Sequence, residues 1–134
     1  MKTVTIILSV LLAACLCGCA VTEQGENETM NATYKQIDHA QAKDMMDEQP
    51  NAIILDVREQ AEYDSGHIPG AALLPVGEIN EDNAALVIPD KDTVVLVYCR
   101  SGNRSKKASQ ALAELGYTQV YEFGGIMDWP YDIE

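Results

Sequence analysis

The sequence predicts a three-layer α/β domain in which helices cover both faces of a parallel sheet. Two continuous apolar runs carry this reading, "AIILDV" at residues 52–57 and "TVVLVYC" at residues 93–99. Both are rich in branched side chains and end abruptly in polar groups. Such runs are strands buried on both faces, as in a parallel sheet covered by helices. Helical stretches alternate with them, and in sheets of that kind ligands bind beyond the carboxyl ends of the strands. Asp56 ends the polar side of one run and Cys99 ends the other.

The remaining elements follow in chain order. Residues 34–37 form a short strand. After the cap residue Asp38, Ala42, Met45 and Met46 share one helical face. Residues 59–65 and 76–86 have weaker helical patterns, and residues 71–74 read as a short strand between them. Beyond Cys99 a helix begins near Asn103 to Ser105. Its apolar residues Ala108, Ala111, Leu112 and Leu115 fall at i, i+3, i+4 and i+7, and Gly116 stops it. Residues 119–123 form the last strand. No internal repeat interrupts the series, and 134 residues leave room for one domain.

The N-terminal segment has a different character. "MKTVTIILSVLLAACLCGCA" opens with Lys2, runs apolar from Val4 to Ala14, and continues in small residues and cysteines. Crossing a bilayer would take about 18 or more apolar residues, so this segment reads as a signal peptide. It resembles bacterial lipoprotein signals, in which a lipobox cysteine is acylated and becomes the new N-terminus. Two frames fit, one ending at Cys15 and one at Cys19. The second gives a hydrophobic region of more usual length and leaves no apolar remnant, so Cys19 is preferred and Cys15 is the alternative. The expected organisation is a signal peptide over residues 1–18, a flexible tether over 19–32 and a folded domain over 33–134. The protein is expected to be exported and lipid-anchored to the bacterial cell membrane, on its outer face or periplasmic side. The tether, polar and without period, reaches roughly 20 Å as a random coil.

Lipidation at Cys19 would leave Cys99 as the one other cysteine of the mature chain. A lone thiol cannot close an intrachain disulfide. With His39 and His67 the only histidines, no metal site and no cofactor is expected.

Charge narrows the partners. Twenty-one acids against nine bases give a net charge of −12, which argues against nucleic acid and against an anionic membrane surface. Contact with the membrane is expected through the N-terminal lipid only, and the domain is expected to be monomeric. Yet Arg100, Arg104, Lys106 and Lys107, four of the nine bases, lie within eight positions. Local cations on a global anion suggest a site for a small anion.

Cys99 precedes "RSGNRS", a short polar loop that runs straight into a helix. A bend between strand and helix N-terminus can aim several N–H groups at one point, with the helix dipole adding positive potential. An anion is favoured there. If that anion is the Cys99 sulfur, its pKa falls, and Arg100 and Arg104 act in the same direction.

These residues resemble the rhodanese family. "DVREQAEYDSGHIPGA", residues 56–71, matches the signature Asp-x-Arg, Glu-[Phe/Tyr], Gly-His-Ile-x-Gly-Ala. "YCRSGNRS" is similar to the family's active-site loop, and "YEFGGIMDWP" is similar to its closing Gly-Gly-x-x-x-Trp stretch. The resemblance implies a rhodanese-like fold with a central five-stranded parallel sheet flanked by helices. It also implies a sulfurtransferase that moves sulfane sulfur from a small anionic donor such as thiosulfate to cyanide or a thiol through a persulfide. By position, Cys99 is then the sulfur carrier, and Arg100, Ser101, Gly102, Asn103, Arg104 and Ser105 form the substrate-binding loop. Arg58 joins Arg104 in assisting the donor, and Asp56 orders the site. Glu62, His67, Gly70, Gly124, Gly125 and Trp129 are assigned to scaffold. The same fold carries phosphatases with a Cys-x5-Arg loop, whereas Arg104 lies five positions after Cys99 and makes this loop Cys-x4-Arg. The alternative from another class is a non-catalytic binding or sulfur-sensing module on the cell surface, a state usually marked by loss of the cysteine.

Overall fold

The computed structural model describes residues 32–134, so Cys15, Cys19, the signal segment and the tether up to residue 31 lie outside the described residues. Five strands form one sheet: β1 (Lys35–Gln36), β2 (Ile53–Asp56), β3 (Ala72–Leu73), β4 (Val94–Cys99) and β5 (Gln119–Gly125). Their spatial order is β1-β5-β4-β2-β3, and every neighbouring pair is parallel. Parallel neighbours need crossover connections. These contain α1 (His39–Glu48), α2 (Gln60–Asp64), α3 (Glu81–Val87) and α4 (Asn103–Glu114). The three-layer α/β arrangement with a five-stranded parallel sheet is as the sequence predicts.

Two cores sandwich the sheet. On one face Leu55, Val57, Val95, Val97 and Cys99 pack against Ala84 of α3 and Ala108 and Leu112 of α4. On the other, Leu96, Tyr98 and Phe123 pack with Ala42 of α1, Ile68 and Trp129. Each large aliphatic side chain so buried contributes roughly 1.5–3 kcal/mol. Helix α1 starts where Asp38 accepts from the Gln41 N–H at 2.8 Å and the Gln41 side chain accepts from the Asp38 N–H at 3.0 Å.

The helical pattern over 76–86 resolves into two pieces, a 3₁₀ turn at Val76–Glu78 and then α3. Asn80 divides them. It caps α3 by accepting from the Asn83 N–H at 2.9 Å, and a cap residue has extended backbone that cannot continue a helix through itself.

One irregularity positions the site. The register of β4 and β5 pairs Val97 with Glu122 but Cys99 with Gly125, so β5 inserts an extra residue opposite the end of β4. The consequence is a bent strand end lying directly beside the loop that follows Cys99.

Candidate active site

Cys99 closes the central strand, and α4 begins four residues later. The sulfur is 1% exposed and unpaired. Gly102 makes the turn possible: its φ of +102° is a left-handed conformation that a side chain disfavours. In that conformation its N–H donates to Cys99 Sγ at 3.0 Å, and the Ser105 hydroxyl lies 3.5 Å from the same sulfur. Burial pushes the Cys99 thiol up. The Ser105 hydroxyl and the amides of Ser105, Gly102 and Ser101 outweigh it, and the pKa falls below the ordinary thiol value. The first turn of α4 adds its dipole in the same direction.

The loop is held from the β5 side by Gly125. A methyl group at Gly125 would overlap the Arg100 carbonyl and come within 2.7 Å of Ser101 Cα. Its φ of −128° suits any residue, so it is space rather than backbone conformation that requires glycine. The Met127 N–H donates to the Arg100 carbonyl at 3.2 Å and ties the first loop residue to the segment after β5.

The arginines have different partners. Arg104, predicted to face an anionic donor, is clamped by Glu62 of α2 through two hydrogen bonds of 2.7 and 2.8 Å. Those bonds hold the Glu62 carboxyl at about 2, well below its usual range. Glu62 is therefore the partner of a loop residue, beyond the scaffold role expected of it. Arg58 is 5% exposed, and its guanidinium donates to Asp56 at 2.7 Å and to the Gly66 carbonyl at 2.7 Å. Asp56, fully buried, also accepts from the Arg58 N–H at 3.0 Å and the Tyr98 hydroxyl at 2.8 Å. Two residues apart at a strand end, Asp56 and Arg58 form an ion pair at 2.7 Å that occupies the Arg58 guanidinium expected to assist the donor. Arg100 is exposed and forms no ion pair among the described residues, and Asn103 is exposed beside it.

A second carboxylate went unpredicted. Glu122 of β5 is 3% exposed and lies under the loop, accepting from Ser105 Oγ at 2.6 Å and from the Gly124 N–H at 2.8 Å. The sequence held a signal for it: in a strand buried on both faces, Glu122 shares the face of Val120. Among the described residues no cluster of three or more His, Cys, Asp or Glu could hold a metal ion.

Comparison with known proteins agrees with this geometry. Residues 38–131 match the rhodanese-like domain. The thiosulfate sulfurtransferase PspE of Escherichia coli is 40% identical over 74 residues, covering 55% of this chain and 70% of that protein. The thiosulfate sulfurtransferase GlpE of Coxiella burnetii is 36% identical over 97 residues, covering 72% of this chain and 87% of its own length. Among solved structures, a rhodanese with anions from E. coli superposes with a TM-score of 0.58 at 35% identity, over 62% of this chain and 96% of that one. The BH2092 protein of Bacillus halodurans superposes with a TM-score of 0.67 at 29% identity, over 78% of this chain and 80% of that one. With the fold, the loop and the sequence match in agreement, the chain belongs to the rhodanese-like domain family.

Proposed function

We propose that the protein is a sulfurtransferase that carries sulfane sulfur on Cys99, taking it from a donor such as thiosulfate and passing it to cyanide or a thiol. The observation that supports this most is the Cys99 sulfur itself, ringed by N–H and O–H donors at a helix start and held below its ordinary pKa. In this reading the Cys99 thiolate attacks the outer sulfur of thiosulfate. A Cys99–sulfur bond forms while the donor's sulfur–sulfur bond breaks, and its electron pair leaves with sulfite. An acceptor nucleophile then takes the outer sulfur, and the electron pair of the persulfide bond returns to Cys99 as thiolate.

Because Cys99 is 1% exposed, only a reacting atom at the end of its donor can reach it through the loop mouth. That favours a terminal sulfur over a bulky tetrahedral group. The loop amides of Ser101, Gly102 and Ser105 would stabilise negative charge on the transferred sulfur. Arg100, exposed and in no ion pair among the described residues, is a loop cation available to attract an anionic donor, and Arg104 can do so only by loosening from Glu62. Asp56 and Arg58 then order the strand end beneath. A phosphatase reading is disfavoured, since the position its Cys-x5-Arg arginine would hold is Ser105, a fully buried hydroxyl with no charge.

The test is turnover. The protein should convert thiosulfate and cyanide to thiocyanate and leave aryl phosphates intact, and Cys99→Ser should abolish the activity because a serine hydroxyl stays protonated at neutral pH. Aryl phosphate turnover above thiocyanate formation would overturn the proposal. Lack of turnover with every sulfane donor would return the domain to the binding or sensing class.

We further propose that the protein acts outside the cytoplasm, attached through a lipidated Cys19 or, in the other frame, Cys15. The lipobox after the apolar run supports this. Mass spectrometry of the mature N-terminal peptide should find an acylated cysteine, and an unmodified N-terminus elsewhere would refute it.

A further inference from the structure

We propose that the surface running from the Cys99 loop along the first two turns of α4 docks a protein acceptor, one that presents its thiol on an acidic segment. The proposal rests on the reading of Cys99 as sulfur carrier and deepens it by naming the class of acceptor.

The first observation is where the cations lie. Residues 93–113 contain four cations and no aspartate or glutamate, in a chain with twenty-one acids. Among the described residues Lys43, Arg58 and Arg104 each pair with a carboxylate, and Lys91 donates to the Leu115 carbonyl at 2.9 Å. The cations left in no ion pair there are Lys35, Arg100, Lys106 and Lys107. Lys35 of β1 lies over the Tyr121 ring at 5.8 Å. The other three are exposed and follow Cys99 along the loop and the start of α4.

The second observation is reach. A small donor anion at Cys99 meets the loop amides and Arg100. Lys106 and Lys107 stand about 4.5–6 Å further along the helix axis than Asn103, the first residue of α4. With Tyr34, Gln110 and Glu114 they line a groove of about 440 Å³ between α4 and the segment entering β1. Cations placed there suit a partner larger than thiosulfate, seated over the loop. On the other side of the loop Met127 is 64% exposed, and its N–H holds the Arg100 carbonyl. An exposed methionine and a row of cations around a buried reactive sulfur are the make-up of a macromolecular interface, in which charge steers the partner and sets its register.

Acids of neighbouring elements leave this surface positive. Glu62 of α2 holds Arg104, which also feels Glu59. Glu122 of β5 is buried under Ser105, and Glu114, at the far end of α4, accepts from Gln110 at 3.0 Å. Asp128 is exposed beside Met127 and marks the rim on that side.

In the transfer the acceptor thiolate, its proton already lost to water, attacks the outer sulfur of the Cys99 persulfide. A sulfur–sulfur bond forms on the acceptor while the bond to Cys99 breaks, and its electron pair returns to Cys99 as thiolate. Acidic residues beside the acceptor thiol raise its concentration at the loop mouth and take no part in the bond change.

The test uses the full-length protein, loaded with thiosulfate and freed of excess donor, and two synthetic peptides, Glu-Glu-Cys-Glu-Glu and Gln-Gln-Cys-Gln-Gln. Mass spectrometry reads the rate at which each peptide gains one sulfur. Lys106→Glu/Lys107→Glu should slow transfer to the acidic peptide about tenfold and leave the neutral peptide within about twofold. Comparing native protein with variant for one peptide at a time cancels that peptide's own thiol reactivity. Raising salt from about 20 mM to about 0.5 M should likewise slow only the acidic peptide. An acidic peptide slowed by charge reversal no more than the neutral one would overturn the proposal. Should the double variant not fold, the salt response of the native protein decides, and equal responses for the two peptides would overturn it. A protein that never loads sulfur refutes the sulfur-carrier reading instead. The surface is then read from attack of Cys99 on the same peptides activated as mixed disulfides with 5-thio-2-nitrobenzoate, whose release as the leaving thiolate should show the same tenfold dependence on Lys106 and Lys107.

Discussion

Replacing Asp56 by alanine should be among the most damaging single changes in this domain, and it separates a structural Arg58 from a donor-binding one. Asp56 is fully buried and accepts from the Arg58 N–H at 3.0 Å, the Arg58 guanidinium at 2.7 Å and the Tyr98 hydroxyl at 2.8 Å. Without the carboxylate, a guanidinium only 5% exposed keeps the Gly66 carbonyl as its remaining hydrogen-bond partner. Orphaning a buried charge costs about 3–5 kcal/mol. The unpaired Tyr98 hydroxyl overlaps with that figure rather than adding to it in full. For a domain of this size each kcal/mol lowers Tm by about 4–8 °C, so the expected fall is roughly 12–40 °C. Thermal melting followed by circular dichroism measures it. The double variant Asp56→Ala/Arg58→Met removes both charges and should recover about half of the loss. A single-variant loss below about 1 kcal/mol, or a double variant no more stable than the single, would mean that Asp56 does not offset a buried charge on Arg58. On folded protein, Arg58→Met should leave the thiosulfate KM within about threefold of native, and a rise of tenfold would place Arg58 at the donor after all.

Two further perturbations follow from the loop. Gly125→Ala should push the loop off Arg100 and Ser101 and lower kcat by about 10- to 100-fold with little change in secondary structure, as steady-state rates and circular dichroism would show. Glu62→Gln should free Arg104 and raise kcat/KM for thiosulfate about three- to fivefold. The same pair predicts a pH effect. A carboxyl held at about 2 against an ordinary 4.5 stabilises the fold fully above 4.5 and loses that contribution as pH falls through 2. The unscreened value is about 3 kcal/mol, and water around side chains 32% and 29% exposed reduces it to about 1 kcal/mol. Denaturant midpoints over that acid range should lose this component in the native protein and lack it in Glu62→Gln.

The sheet was legible because it rests on local pattern. The runs ending at Asp56 and Cys99 are apolar on both faces, and Asp38 and Gly116 mark helix ends by chemistry that needs no distant partner. Asn80 was legible only after the fact, since an asparagine inside a weak helical pattern can be a cap or a surface residue. The arginine partners divide differently. Asp56 and Arg58 are two residues apart, close enough to be suspected from sequence, whereas Glu62 and Arg104 are 42 residues apart and meet only because α2 and α4 approach across the loop. Glu122 was hidden for a related reason. Alternation places Glu122 on the face of Val120, but its contact with Ser105 depends on how α4 lies against β5, which sequence pattern does not specify.

Mass spectrometry after incubation with thiosulfate, before any acceptor is added, shows whether Cys99 itself carries the sulfur. The Cys99 peptide should gain the mass of one sulfur atom with an equal amount of sulfite released, cyanide should reverse the gain, and Cys99→Ser should show none. A peptide that stays unmodified with thiosulfate and with other sulfane donors, or sulfur found on the protein but not on Cys99, would exclude Cys99 as the sulfur carrier.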